Sequence, residues 1–374
     1  MPTELFVVFI LLMDILLIVS FAFVPYVTRK TELFGVSIPS EQTRLPQLMR
    51  ERAIYRNQLL VGGAVLVILS LLLIWRTDPS SPWMIGIWLS AACIYLLAAF
   101  LLYLPRHRAL QRIKQEQGWD APTQKSVVIA DTTPYSKDTI HPAWNLLYLP
   151  VLALWSLAMW WLWPTLPDMV PTHYNAAGEA DAWTPKGPSL IWVQLAIYLF
   201  MAIIMIGCYF IIRHSRRQND AAKPLETLEQ EKRFRRLNSI FVLVVGLLTL
   251  IFIEAMFLYM MVGGPNATLL WASVIAYLAI VAVGVVLLMV FVGQGGSRLR
   301  SRAQQQVSQV NYDDDRFWKL GLFYCNRDDP ALFVEKRFGI GWTSNFARPL
   351  NWVLITGLLV LIAALLVITI TLSA

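Results

Sequence analysis

The chain has 374 residues, of which 57% are hydrophobic and only 15% charged, and it carries a formal net charge of +7. A soluble domain has about 25% charged residues, so this balance excludes a cytosolic enzyme, a secreted disulfide scaffold and a disordered tail, and it places the chain in a bilayer. The three cysteines, Cys93, Cys208 and Cys325, fall in two apolar runs and one polar segment, which builds neither a disulfide framework nor a metal quartet.

A helical crossing of a hydrocarbon core about 30 Å thick takes roughly 20 mainly apolar residues. Eight such runs follow one another, at residues 5–24, 58–75, 83–104, 146–163, 190–212, 240–262, 269–292 and 352–372. The expected fold is therefore an all-α polytopic membrane protein with eight transmembrane helices. It divides into an N-terminal three-helix region at 1–145, a two-helix unit at 146–212 with a motif loop at 164–189, a third membrane region of two helices at 213–293, a cytoplasmic domain at 294–350 and a last helix at 351–374.

Lysine and arginine collect on the cytoplasmic side of membrane proteins. The loops after the first, third, fifth and seventh runs hold 29 of the 31 Lys and Arg residues. This predicts both termini extracytoplasmic, with loops 29–57, 105–145, 213–238 and 294–350 inside a bacterial cytoplasmic membrane. The opening MPTE has no basic n-region, so the first helix is expected to be retained. Trp75, Trp83, Trp160, Trp161, Trp163, Trp192 and Trp271 fall where helices leave the outer face, as an aromatic belt would.

Two acids, Asp14 and Glu254, interrupt the apolar runs. Charge inside a span is costly enough to mark a functional candidate. At a rise of 1.5 Å per residue both lie about 13–15 Å below the outer surface. If the first and sixth helices share a cavity, the pair would line an outward-facing pocket that binds a cation or exchanges protons. The alternative is that each acid is neutral or hydrogen-bonded inside the bundle.

Between the fourth and fifth runs, LPDMVPTHYNAAGEADAWTPKGP is too rich in proline, glycine and polar residues to span a membrane. It reads as a structured outer loop with a turn at 175–178. His173, Asn175, Glu179, Asp181, Trp183 and Lys186 crowd into it. Three readings stay open: a self-packed loop, a divalent-metal site from His173, Glu179 and Asp181, and a recognition surface for a peptide or lipid on which Tyr174 and Trp183 stack. The NAT triplet beginning at Asn266 is discounted as a glycosylation site, because the turn around it is too short.

The string from Leu166 to Lys186, with Pro171, His173, Tyr174, Asn175, Gly178, Glu179, Asp181, Trp183 and Lys186 in place, resembles the signature of the SdpI-like bacterial membrane proteins. These share a domain of unknown function numbered 1648. Ala180 stands where that family often carries proline, and Pro185 is added beside Lys186. LFGVSIP, with Phe34, Gly35 and Pro39, resembles the first cytoplasmic loop of longer members. The stretch from Asp313 to Pro349 resembles a second uncharacterised domain, numbered 5808, through Trp318, Gly321, Tyr324, Asn326, Asp329, Pro330, Arg337, Phe338, Gly339, Trp342 and Asn345. The resemblance implies immunity against a secreted toxic peptide and sequestration of a transcriptional repressor, as in the best-understood relative type, which is shorter and has fewer helices.

The segment before the last helix alternates short apolar runs with turn residues, and is read as a β-hairpin-like element turning at 326–330. Its FGIGWT echoes the FGVSIP of the first cytoplasmic loop, so the two loops are expected to pair or to occupy similar places. The acids at 313–315 read as a solvated turn. Arg213, Arg216, Arg217, Lys232, Arg233, Arg235 and Arg236 read as anchors on anionic lipid heads, and His107, His141 and His214 as single interfacial histidines. Nucleophile, P-loop, HExxH and dinucleotide motifs are absent from the sequence, so no enzyme is expected. The reading reached is a membrane sensor or immunity-type protein that takes an extracytoplasmic peptide or small ligand through the outer loop, contacts membrane lipid and signals to a cytoplasmic regulator, with no direct nucleic-acid partner. The alternatives are an ion- or proton-coupled transporter using Asp14 and Glu254, and a metal-dependent membrane enzyme.

Overall fold

The computed structural model describes residues 2–77, 81–119, 135–175, 178–217, 224–262, 266–301 and 314–373. Eight helices in it are long and apolar enough to cross a membrane: α1 (Pro2–Ala22), α2 (Pro46–Arg76), α3 (Pro82–Glu116), α4 (Tyr148–Leu162), α5 (Pro188–His214), α6 (Pro224–Met261), α7 (Ala267–Leu287) and α8 (Pro349–Ser373). Six of these begin on proline, whose fixed φ suits the first helical position and whose missing N–H has no intrahelical acceptor there. The start of α7 is set by Asn266, whose side-chain oxygen accepts from the amides of Thr268 (2.9 Å) and Leu269 (3.3 Å). That N-cap is the structural role of the discounted triplet.

The apolar runs become helices in the expected order, but α2, α3 and α6 continue well past them. Residues 46–57, 105–116 and 224–238 fall within expected loops, and the structure makes them helical extensions at one end of the bundle. Their Leu, Arg, Gln, Glu and Lys content favours helix once a membrane-embedded turn has nucleated it.

Helix α1 packs on α2, α2 on α3, and α1 also on α7; α5 packs on α6 and α8, and α4 on α6. Contacts of α6 with α7 join the two groups. Small residues allow close approach, as at Gly63, where a Cβ would stand 2.6 Å from Ile18 of α1, and at Gly246, where it would stand 2.3 Å from the Tyr148 hydroxyl. The outward faces carry exposed Leu69, Leu97, Leu154, Ile203, Val283 and Val360, which lipid tails cover without cost.

The loops after α1, α3, α5 and α7 meet at one end, called the basic end here. Arg29 pairs with Glu335 (2.7 Å), Lys114 with Asp315 (2.7 Å), Arg216 with Asp329 (2.6 Å) and Arg217 with Asp138 (2.5 Å). A short hairpin of β1 (Glu32–Leu33) and β2 (Val36–Ser37) lies there. At the opposite end β3 (Met169–Tyr174) and β4 (Ala180–Pro185) form a longer hairpin.

The segment before α8 is built of hairpins, but not of one turning at 326–330. β5 (Trp318–Lys319) pairs with β6 (Phe323–Tyr324), β7 (Phe333–Glu335) pairs with β8 (Trp342–Ser344), and a parallel bridge joins Tyr324 to Asn345. Residues 326–330 connect the two hairpins. The turn at Leu320 and Gly321, both with positive φ, closes the first, and its reversal so soon after Trp318 leaves 326–330 no strand to fold back on.

Candidate functional site

The outer motif is a two-stranded sheet whose register pairs Pro171 with Trp183 and His173 with Ala182, with irregularities on either side of His173. Such bulges re-aim side chains. They set His173 beside Asp181, Nδ1 to Oδ1 2.5 Å, with both side chains open to solvent. Asn175 closes the turn: its Oδ1 accepts from the Glu179 amide (3.0 Å) and its Nδ2 donates to the Glu179 carboxylate (3.3 Å). Gly178, at φ +81, lies so close to α7 that a Cβ would come within 2.1 Å of that of Ala267.

Below the sheet, Val170 is fully buried with Trp155, Met159, Leu166, Leu190 and Met261, a burial worth about 1.5–3 kcal/mol. Lys186 donates to the Leu166 carbonyl (3.1 Å) and lies over the Trp163 ring. Tyr174 donates to the Met260 carbonyl (3.0 Å), and burial raises its phenol pKa. Thus Tyr174 and Gly178 hold the hairpin onto α6 and α7, Lys186 ties it to the segment after α4, Asn175 closes its turn and Pro171 pairs within it. Trp183 is half exposed on its surface.

Beneath this roof is a chamber of ≈ 300 Å³ lined by Thr172, His173, Ala182, Thr184, Leu190, Gln194, Ile197 and Phe257 among others. Gln194 is 1% exposed, a buried amide in an otherwise apolar stretch of α5. Glu254, three residues before Phe257 on α6, is 4% exposed, with the Gln194 side chain within hydrogen-bonding reach of its carboxylate. Gln194 and Tyr198 adjoin it. A buried amide and a buried carboxylate side by side at a partly apolar chamber satisfy each other in part and keep capacity for a further hydrogen-bonding partner. A carboxylate and an amide suit a ligand bearing an ammonium or other hydrogen-bond donor on an apolar body.

Asp14 does not join them. It lines no part of the chamber, is fully buried and accepts from Nε1 of Trp88 on α3 (3.0 Å). The three residues of the metal reading part into two pairs. His173 pairs with Asp181, whereas Glu179 turns to Asn175 at the tip, and no group of three or more His, Cys, Asp or Glu able to hold a metal ion occurs among the described residues.

At the basic end the second motif set converges. Phe34, with φ 46, and Gly35 form the turn between β1 and β2. Phe34 stacks on Phe338 (5.6 Å between centroids), so the two echoing FG stretches do meet. Tyr103 reaches the carbonyls of Phe34 (2.9 Å) and Leu320 (2.7 Å), and Nδ1 of buried His107 lies 2.7 Å from Phe34 O. Arg337 donates to Asp314, Asp315 and the Gly35 carbonyl, and lies over the Trp318 ring. Asp314 and Asp315 are therefore ion-paired, and Asp314 is buried, rather than part of a solvated turn.

Asp329, just before exposed Pro330, accepts from Tyr324 (2.8 Å) and Arg216. Asn345 donates to the Asn326 carbonyl (2.8 Å) and accepts from its amide (3.1 Å). Trp342 packs on Phe234 (5.3 Å between centroids), Gly339 supplies a turn at φ +102, and the Pro39 carbonyl starts a helical turn by accepting from Gln42.

Of the basic residues after α5, Arg217 and Arg235 are buried rather than lipid anchors, while Arg233 and Arg236 stay exposed. Arg235 is fully buried, donating to Glu231 (3.1 Å) and to the carbonyls of Ile212 (2.8 Å) and Ser215 (2.5 Å). Burial opposes the charge of Arg29, but Glu335, Glu32 and Glu231 outweigh it and raise its pKa. Sequence reasoning missed Gln194, although a lone amide in an apolar run was a visible signal. It also missed the Arg29, Glu231, Arg235 and Glu335 cluster.

Fold and site together define a polytopic membrane protein with a roofed chamber at one end and an interlocked polar assembly at the other. A domain of unknown function (DUF1648) matches residues 149–205, which run from α4 through the hairpin into α5, and a family of unknown function (DUF5808) matches residues 327–352. These are the two domains that the motifs resemble. No curated protein and no solved structure matches the chain.

Proposed function

We propose that the protein is a membrane receptor of sensor or immunity type, which takes the amine-bearing end of an apolar ligand, such as a peptide, into the chamber under the β3–β4 hairpin. The observation that carries this reading is the juxtaposition of buried Gln194, on the chamber wall, with the buried Glu254 carboxylate behind it. The exposed His173–Asp181 pair and Trp183 would meet the remainder of the ligand. Helices α5 and α6 flank the chamber and continue to the basic end, where Arg216, Glu231 and Arg235 belong to the polar assembly. A ligand that shifts one helix against the other would thereby reach a cytoplasmic partner.

Hexylamine and its uncharged counterpart hexanol test this in detergent by calorimetry. Hexylamine should bind the wild type more tightly than hexanol does, and Glu254→Gln should weaken it about tenfold or more, the worth of a charge-assisted hydrogen bond. Equal binding of both compounds, or no effect of the substitution, would remove the amine site. Movement of hexylamine across liposomes that contain the protein would convert the receptor reading into transport.

A further inference from the structure

A second cavity, of ≈ 470 Å³, lies at the basic end and shares no lining residue with the hairpin chamber. Phe21 of α1, Leu96 and Phe100 of α3, and Phe338 from the turn between β7 and β8 give it apolar walls. The apolar runs of α1 and α3 end here, so the cavity sits at headgroup depth. Leu97 and Leu101 alongside it are more than half exposed, as lipid-facing residues are.

The lining also includes Lys336, whose side chain is exposed and has no acidic partner among the described residues. Only its apolar surroundings act on its ammonium, and they lower its pKa. The adjacent Arg337 is engaged by Asp314 and Asp315. An exposed ammonium at the edge of an apolar groove, with no acid beside it, suits an anion that brings an apolar part of its own. A soluble anion would leave the walls of phenylalanine and leucine unused, whereas a lipid supplies both parts.

We infer that this cavity is a binding site for one acidic phospholipid, with its phosphate on Lys336 and the start of an acyl chain against Phe21, Leu96 and Phe100. The bond is a charge-assisted one, and the lysine stem follows the apolar wall while its head stays at the interface. The anionic inner leaflet provides the lipid.

Native mass spectrometry of the purified full-length chain, titrated with phosphatidylglycerol or phosphatidylcholine, tests the site. One phosphatidylglycerol should be retained in preference to phosphatidylcholine. Lys336→Gln should reduce that retention about tenfold, and Lys336→Arg should restore it. Ser20→Trp, at an exposed position on the cavity wall, should block the acyl chain with the lysine intact. Unchanged melting temperatures show that the variants fold. Equal retention of both lipids, indifference to Lys336→Gln and Ser20→Trp, or displacement by inorganic phosphate alone would each overturn the assignment.

Discussion

Removing the Arg235 guanidinium would leave the buried Glu231 carboxylate only the more distant Arg29 (4.0 Å) as the cation of the cluster, and would free two carbonyls that Arg235 now holds. Arg235→Ala should cost about 3–5 kcal/mol, the range for breaking a buried pair from one side. Arg235→Lys should recover only part of this, because a point charge does not match a planar fork of donors. Thermal unfolding in detergent measures both, and an unshifted midpoint for Arg235→Ala would show that Glu231 finds another partner. The sequence reading placed this arginine on lipid heads, because a row of basic residues next to a span shows its sign and not its partners. Glu231, four residues earlier on the same helix, was within reach of sequence reasoning. Glu335, by contrast, reaches the cluster only through the fold.

At the scale of elements, the β1–β2 and β5–β6 turns touch backbone to backbone. A Cβ on Gly35 would stand 2.4 Å from the Gly321 Cα, and one on Gly321 would stand 2.7 Å from the Gly35 Cα. Both glycines also have positive φ, so Gly35→Ala and Gly321→Ala should each cost about 2–4 kcal/mol through strain and overpacking. Their double variant should cost less than the two together, because the first substitution already parts the turns. Limited proteolysis within 314–348 reads the loosening; additive effects would mean that the turns act independently. The FG echo in the sequence foretold that these loops belong together. It did not foretell the hairpin pairing, because strands of two or three residues carry too few side chains to show alternation. The outer hairpin was legible as a loop motif for a related reason: its polar residues recur for turn-making and docking, and the same string hid which of them face the chamber.

For the whole molecule, the partition of 29 basic residues against 2 agrees with the convergence of the four basic loops at one end. If that end is cytoplasmic, a membrane-impermeant maleimide added to intact cells should label a Glu179→Cys variant on the outer hairpin and leave Cys325 untouched until the cells are opened. The reverse labelling would invert the topology. Span number and order could be read from hydropathy because the bilayer imposes length and composition. Helix neighbours could not, since a side chain facing lipid and one facing another helix are both apolar. Which face of α5 carries the chamber depends on where α6 lies, and no periodicity in an all-apolar run records that.

The ion pair between Arg29 and Glu335 joins residues 306 positions apart. During synthesis at about 5–20 residues per second, Arg29 emerges on the order of 15–60 s before its nearest ion-pair partner exists. The first loop to be made is thus finished late, and until residue 335 is made Arg29 has Glu32 and then Glu231 near it but not the carboxylate that it finally holds.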